Sequence, residues 1–260
     1  MKKILFLGQF LYALAVAGFG IIQLFTQNFL STLLPFPSSI PLYLVWVYTS
    51  AIIMVVAAAA ILANIQRGIS AAILGIMFFI FFLILHVTTL IGKLQDPLEW
   101  TVAFETILIG SGGFIIAAEF IQKAHTTRLK RFVIFFAAIG RYLIACSLIV
   151  FAVLHIIYTS FIQKMIPAWM PAHLILAVIV ISGLFLAALS FILDIKVRLS
   201  STLLGIMFLI WVLLVHIPAV FSNTHAETEW ISLCIALACS GTAFSLAART
   251  PESLGVILTI

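Results

Sequence analysis

Eight long apolar runs, separated by short polar connectors, take up nearly all of the 260 residues. They cover 4–26, 42–63, 69–92, 100–122, 132–158, 174–193, 199–221 and 229–248. Each matches the roughly 20 residues a helix needs to cross a hydrocarbon layer about 30 Å thick. The runs are too long and too uniformly apolar for the alternating strands of a barrel, and an isolated strand in lipid would leave its backbone polar groups unpaired. The pattern predicts an all-α integral membrane protein of eight transmembrane helices.

Composition agrees, since 65% of residues are hydrophobic and 8% charged and the mean hydropathy is +1.32. Such a chain has too little polar surface to cover itself in water. The net charge of +5 could suggest nucleic acid in a soluble protein, but here the basic residues are scattered through connectors and read as a topology signal. Lys2, Lys3, Arg67, Lys123, Arg128, Lys130, Arg131, Lys196, Arg198 and Arg249 fall on one side, and Lys93 and Lys164 on the other. This predicts an inner (cytoplasmic) membrane protein with both termini cytoplasmic. Trp46, Trp100, Trp169 and Trp230 map near the opposite interface, where an indole buries its ring and keeps its N–H near water. The three cysteines, Cys146, Cys234 and Cys239, form no C-x-x-C, so no dithiol centre is inferred.

An internal repeat organises the runs. Leu74-Gly75-Ile76-Met77-Phe78 recurs as Leu204-Gly205-Ile206-Met207-Phe208, His86 as His216, and Glu99-Trp100 as Glu229-Trp230, all 130 residues later. Earlier landmarks, Gly8 with Gly140 and Pro35 with Pro167, are 132 apart. Residues 1–126 and 127–260 thus read as two four-helix repeats. With an even number of spans each, both insert the same way round, as parallel repeats. Lys2 and Lys3 ahead of an apolar run imitate a signal peptide, but that first run has a counterpart deep in the chain and is read as a span.

Gly140-Arg141-Tyr142, Phe151-x-x-x-His155, the run from Ile166 to His173 (Ile-Pro-Ala-Trp-Met-Pro-Ala-His), Leu204-Gly205-Ile206-Met207, His216-Ile217-Pro218 and Glu229-Trp230 together resemble the DoxX-like family. The likeness covers almost the whole second repeat. It implies a tandem duplication of a four-helix bacterial membrane unit, found in some cases with quinone-linked sulfur oxidation or redox complexes and in many with no known activity. The first repeat has Gln9 for Arg141, Gln23 for His155 and Phe36-Pro37-Ser38 for Ala168-Trp169-Met170, but alone carries Glu105, where the second has Ile235.

Of six histidines only His125 falls in a connector on the basic side; His86, His155, His173, His216 and His225 map to the other half, with Glu99, Glu105 and Glu229. Ionisable groups inside a membrane suggest a site. For His86 and His216 the alternatives are a hydrogen bond across a helix interface and ligand or proton work. Arg141 either faces the bundle interior, where it pairs with a buried acceptor or a ligand oxygen, or snorkels to the headgroups. Glu105, about 9 Å inward of Glu99, is a structural partner or a proton-transfer group. Trp169, His173 and Glu229 complete the candidate set. Imidazoles could hold haem or a metal, but no H-E-x-x-H or C-x-x-C-H is present, and the cofactor expected from the resemblance is a quinone. The Pro-terminated stretches 29–34 and 161–166 are too short to span and predict half-helices in the interface. Gly110, Ser111, Gly112, Gly113 and Gly241 predict close helix approach.

The leading functional reading is therefore a membrane subunit of a redox, quinone-linked system, with a redox partner protein and a His/Glu/Arg pocket in the second repeat, Glu105 reaching it across the interface. A small-solute transporter and a non-catalytic scaffold for a partner enzyme are the alternatives.

Overall fold

A computed structural model describes residues 2–121 and 127–249. Lys123 and His125 lie outside the described residues, as does 126, the last residue of the first expected repeat. The helices are α1 (Lys2–Thr26), α2 (Tyr43–Leu62), α3 (Arg67–Phe81), α4 (Val87–Gly92), α5 (Pro97–Phe120), α6 (Thr127–Ile157), α7 (Thr159–Met165), α8 (His173–Leu193), α9 (Val197–Trp211), α10 (Ile217–Ser222) and α11 (Glu227–Arg249). Eight helical stretches are long and apolar enough to cross a membrane, α3 with α4 and α9 with α10 each acting as one. Among the described residues there is no strand. This is an all-α multi-pass architecture, as the apolar pattern predicts.

Two of these stretches contain a feature absent from the sequence reading. Phe82–His86 and Val212–His216 are π-helical turns, each ending on a histidine and lying 130 residues apart. A π turn shifts the helix register and releases carbonyls from the usual ladder, and such turns concentrate at functional sites. After the first, the Thr88 hydroxyl donates to the carbonyls of Ile84 and Leu85, both at 2.8 Å. At the equivalent place after the second stands Pro218, which has no N–H to give.

The helices close into a ring in the order α1, α2, α3–α4, α5, α6, α8, α9–α10, α11, with α5 and α11 also packed against each other across its middle. The first helix of each half thus lies against the last helix of the other, α1 along α11 and α6 along α5. The spanning parts of α5 and α11 are 83% and 78% buried, against 22–50% for the other six stretches. These two are the shared central wall. Their small residues permit it: a Cβ on Gly241 would stand 2.7 Å from the Gly8 carbonyl oxygen, so no side chain fits there. Beside this contact the Tyr12 hydroxyl, fully buried, donates to the Ile109 carbonyl at 3.0 Å. That bond ties α1 to α5 where lipid offers no alternative partner.

The two connectors expected as interfacial half-helices differ. In the second half, α7 is a short helix whose Phe161 is 61% exposed. In the first half, residues 29–34 are not a helix, and Phe29, Leu30, Leu33 and Leu34 are packed inside the bundle. Phe29 meets Phe36, Tyr43 and Phe81 edge-on or tilted. The aromatic ring cluster accepts this segment because the Phe-rich α3 faces inward at Phe78, which is also fully buried.

Candidate functional site

A cavity of about 580 Å³ lies inside the second half, between the start of α5, the end of α6, α7, α8, the α9–α10 junction and α11. Its wall is mainly apolar, with Phe151, Leu184, Met207, Phe208 and Trp211 among the lining residues. It opens beside α7, where Leu98, Phe161 and Met165 are 62%, 61% and 47% exposed. This size and lining suit a small organic molecule.

Three titratable side chains from three different helical stretches line this space: Glu105 of α5, His155 of α6 and His216 at the end of the second π turn. His155 Nδ1–H donates to the Phe151 carbonyl at 2.7 Å. That bond sets the neutral tautomer and leaves Nε2 as an acceptor. His216 and the Glu105 carboxyl make no hydrogen bond or ion pair with any described residue. His216 lacks one for a simple reason. His86, its counterpart, has Nε2 3.0 Å from the Thr106 hydroxyl, and Ala236 occupies the place of Thr106.

No three His, Cys, Asp or Glu side chains among the described residues are grouped closely enough to hold a metal ion. Glu105, His155 and His216 therefore stand apart around the cavity, and an occupant that reaches them must be larger than an ion. The geometry offers such an occupant one acceptor at His155 Nε2, an unengaged imidazole at His216 and a carboxyl at Glu105, inside otherwise apolar walls.

The remaining candidates lie elsewhere. Arg141, expected in the interior, is ion-paired with Asp194 just past the end of α8, and also donates to the Tyr142 hydroxyl at 2.9 Å. The reason is the length of α6, 31 residues against 25 for α1. The extra turns project at the end that carries the termini, so Arg141 falls level with the end of α8 and not in the core. The matching pair in the first half is Arg67 with Gln9, at 3.4 Å. His86 is 1% exposed and bound to Thr106, outside the cavity. Trp169 is 66% exposed on the loop before α8. His173 begins α8 beside a separate depression formed with 160–168. Glu229, in the first turn of α11, does not line the cavity. Its counterpart Glu99 is held by Lys93 at 2.7 Å, which raises the Lys93 ammonium above its ordinary range; at the place of Lys93 the second half has Asn223.

Sequence reasoning missed Trp211, Tyr158, Cys239 and Thr32, which also line the cavity. Trp211 carried a usable signal, being the one tryptophan far from any helix end expected at the interface. Thr32 carried none, because it enters from the first half, on the segment packed into the bundle. The chain matches no family model, and it matches no curated protein and no solved structure.

Proposed function

We propose that this multi-pass membrane protein binds a lipophilic, oxygen-bearing molecule of the quinone type in the second-half cavity and serves as a membrane subunit of a redox system. The observation that carries the reading is the convergence of Glu105, His155 and His216, with no competing partner for Glu105 or His216, on one apolar cavity of about 580 Å³. A quinone or quinol has an apolar body with carbonyl or hydroxyl oxygens. His155 Nε2 accepts from a hydroxyl, His216 donates to a carbonyl, and Glu105 exchanges a proton with the oxygen nearest it. The residues with DoxX-like resemblance, His155 and His216 among them, support the same reading, as does the recurrence of helix boundaries at 130 residues for a tandem duplication of a four-helix unit. Electrons come from or pass to a partner protein. The basic residues support placement in the inner membrane with both termini cytoplasmic, so that the cavity opens toward the outer side.

Mass analysis of lipid extracts from the purified protein, with binding of added short-chain quinone by wild type and His216→Ala, tests this. Quinone in the extract, and binding weakened at least ten-fold in the variant, is the expected result. Neither copurified nor added quinone binding would end the proposal. One observation favours a transporter as second reading: the π turns interrupt equivalent helices of the two halves, as interrupted helices do in repeat-built transporters. Uptake of small solutes into proteoliposomes decides between them.

A further inference from the structure

The first half shows what fills such a site when no ligand does. Residues 29–34 occupy its bundle interior, with Leu30, Leu33 and Leu34 fully buried. Their counterparts in the second half belong to α7, where Ile162, Met165 and Ile166 line the cavity from its rim. The two polar positions are matched as well. His86 corresponds to His216, and Gln23 to His155. His86 is held through Nε2 by Thr106, and its Nδ1 lies toward the Leu33 backbone, short of a hydrogen bond. Gln23 is fully buried and bonds Ser50 through Nε2 at 3.5 Å, but its Oε1 has no partner. Buried polar atoms without partners are rare and costly. They are what remains when an apolar segment fills a space whose walls were built around polar contacts.

We propose that the first half is a self-occupied form of the second-half site, and that Ala236 is a specificity-determining residue which, by not being threonine, keeps His216 free to bind the ligand. The inference rests on the ligand-binding reading of the cavity. In the first half, the Thr106 hydroxyl engages the imidazole and the 29–34 segment takes the volume. In the second, α7 has withdrawn to the rim and Ala236 leaves the ring unengaged. The ligand's apolar body then lies where the leucine side chains lie in the first half. Its oxygen meets His216 where the Leu33 backbone approaches His86. One molecule binds per chain.

The test uses the full chain in lipid nanodiscs and a diazirine-bearing alkylphenol as probe. Its binding is measured to wild type, Ala236→Thr and Ala236→Val, and its crosslinks are mapped in wild type. Valine matches threonine in shape, so the comparison isolates the hydroxyl. One intramolecular hydrogen bond to His216 should weaken binding roughly three- to ten-fold in Ala236→Thr relative to Ala236→Val. Crosslinks should fall on the cavity wall, at Phe151, Met207 or Trp211, with one equivalent per chain. Equal affinity of the two variants, or wild-type crosslinks at Phe19, Met54 or Phe78 in the first-half interior, would overturn the inference while leaving ligand binding standing. No probe uptake by wild type would remove both.

Discussion

Gly241→Ala is the sharpest test of the way the two halves are joined. A Cβ at this position would lie 2.7 Å from the Gly8 carbonyl oxygen and 2.9 Å from Tyr12 Cα. Both obstacles are backbone, so no rotamer relieves the clash and α1 must back away from α11. Overpacking of this kind costs about 3 kcal/mol. Higher helix propensity of alanine returns about 1 kcal/mol. Displacing α1 also stretches the Tyr12–Ile109 hydrogen bond, now 3.0 Å, for a loss of about 1 kcal/mol. The net expectation is a destabilisation of about 3 kcal/mol, read by unfolding in mixed detergent–SDS micelles. Gly92→Ala is the control, because nothing lies within 4 Å of a Cβ there, and it should stay within about 0.5 kcal/mol of wild type. If Gly241→Ala unfolds with Gly92→Ala, the packing of α1 against the last helix is wrong.

Arg141→Gln should change stability by less than about 1 kcal/mol, since Asp194 is largely exposed, and should leave quinone binding unaltered; a ten-fold loss of binding would place Arg141 in the site after all. Leu33→Ala, in the packed first-half segment, should cost about 2–5 kcal/mol in the same unfolding assay, whereas Met165→Ala, its partly exposed counterpart on α7, should cost under about 1 kcal/mol. Glu105→Gln keeps shape and removes the exchangeable charge, so binding of a quinone should persist while any pH dependence of that binding between wild-type extremes flattens; unchanged pH dependence would deny Glu105 its proton role. For orientation, a cysteine replacing Lys164 should react with a membrane-impermeant maleimide in intact cells, and one replacing Lys196 should not.

Much of this was legible in the chain. A membrane-spanning helix must satisfy its own backbone and be apolar for about 20 residues, so hydropathy alone located the eight spans to within a few residues at their ends. Duplication preserved residue identity at a constant spacing, which pointed to the second half as the place of the site and to Glu105 as a contribution from the first. Arg141 and His86 show where such reading stops. An arginine's position along a helix says nothing about how far that helix projects, and a histidine repeated at a constant spacing says nothing about whether a neighbouring threonine holds it.

Those questions belong to tertiary structure because they depend on contacts between residues far apart in the chain. Local periodicity could not decide that α1 would pack on α11, since both faces of both helices are apolar; backbone approach at Gly8 and Gly241 decided it. Nor could two similar Pro-terminated stretches announce that one would fill its bundle and the other stand at the rim of a cavity. The number, length and repetition of the helices follow from the sequence by the chemistry of lipid. Which half is filled, which is hollow, and which polar groups face the hollow follow from packing alone.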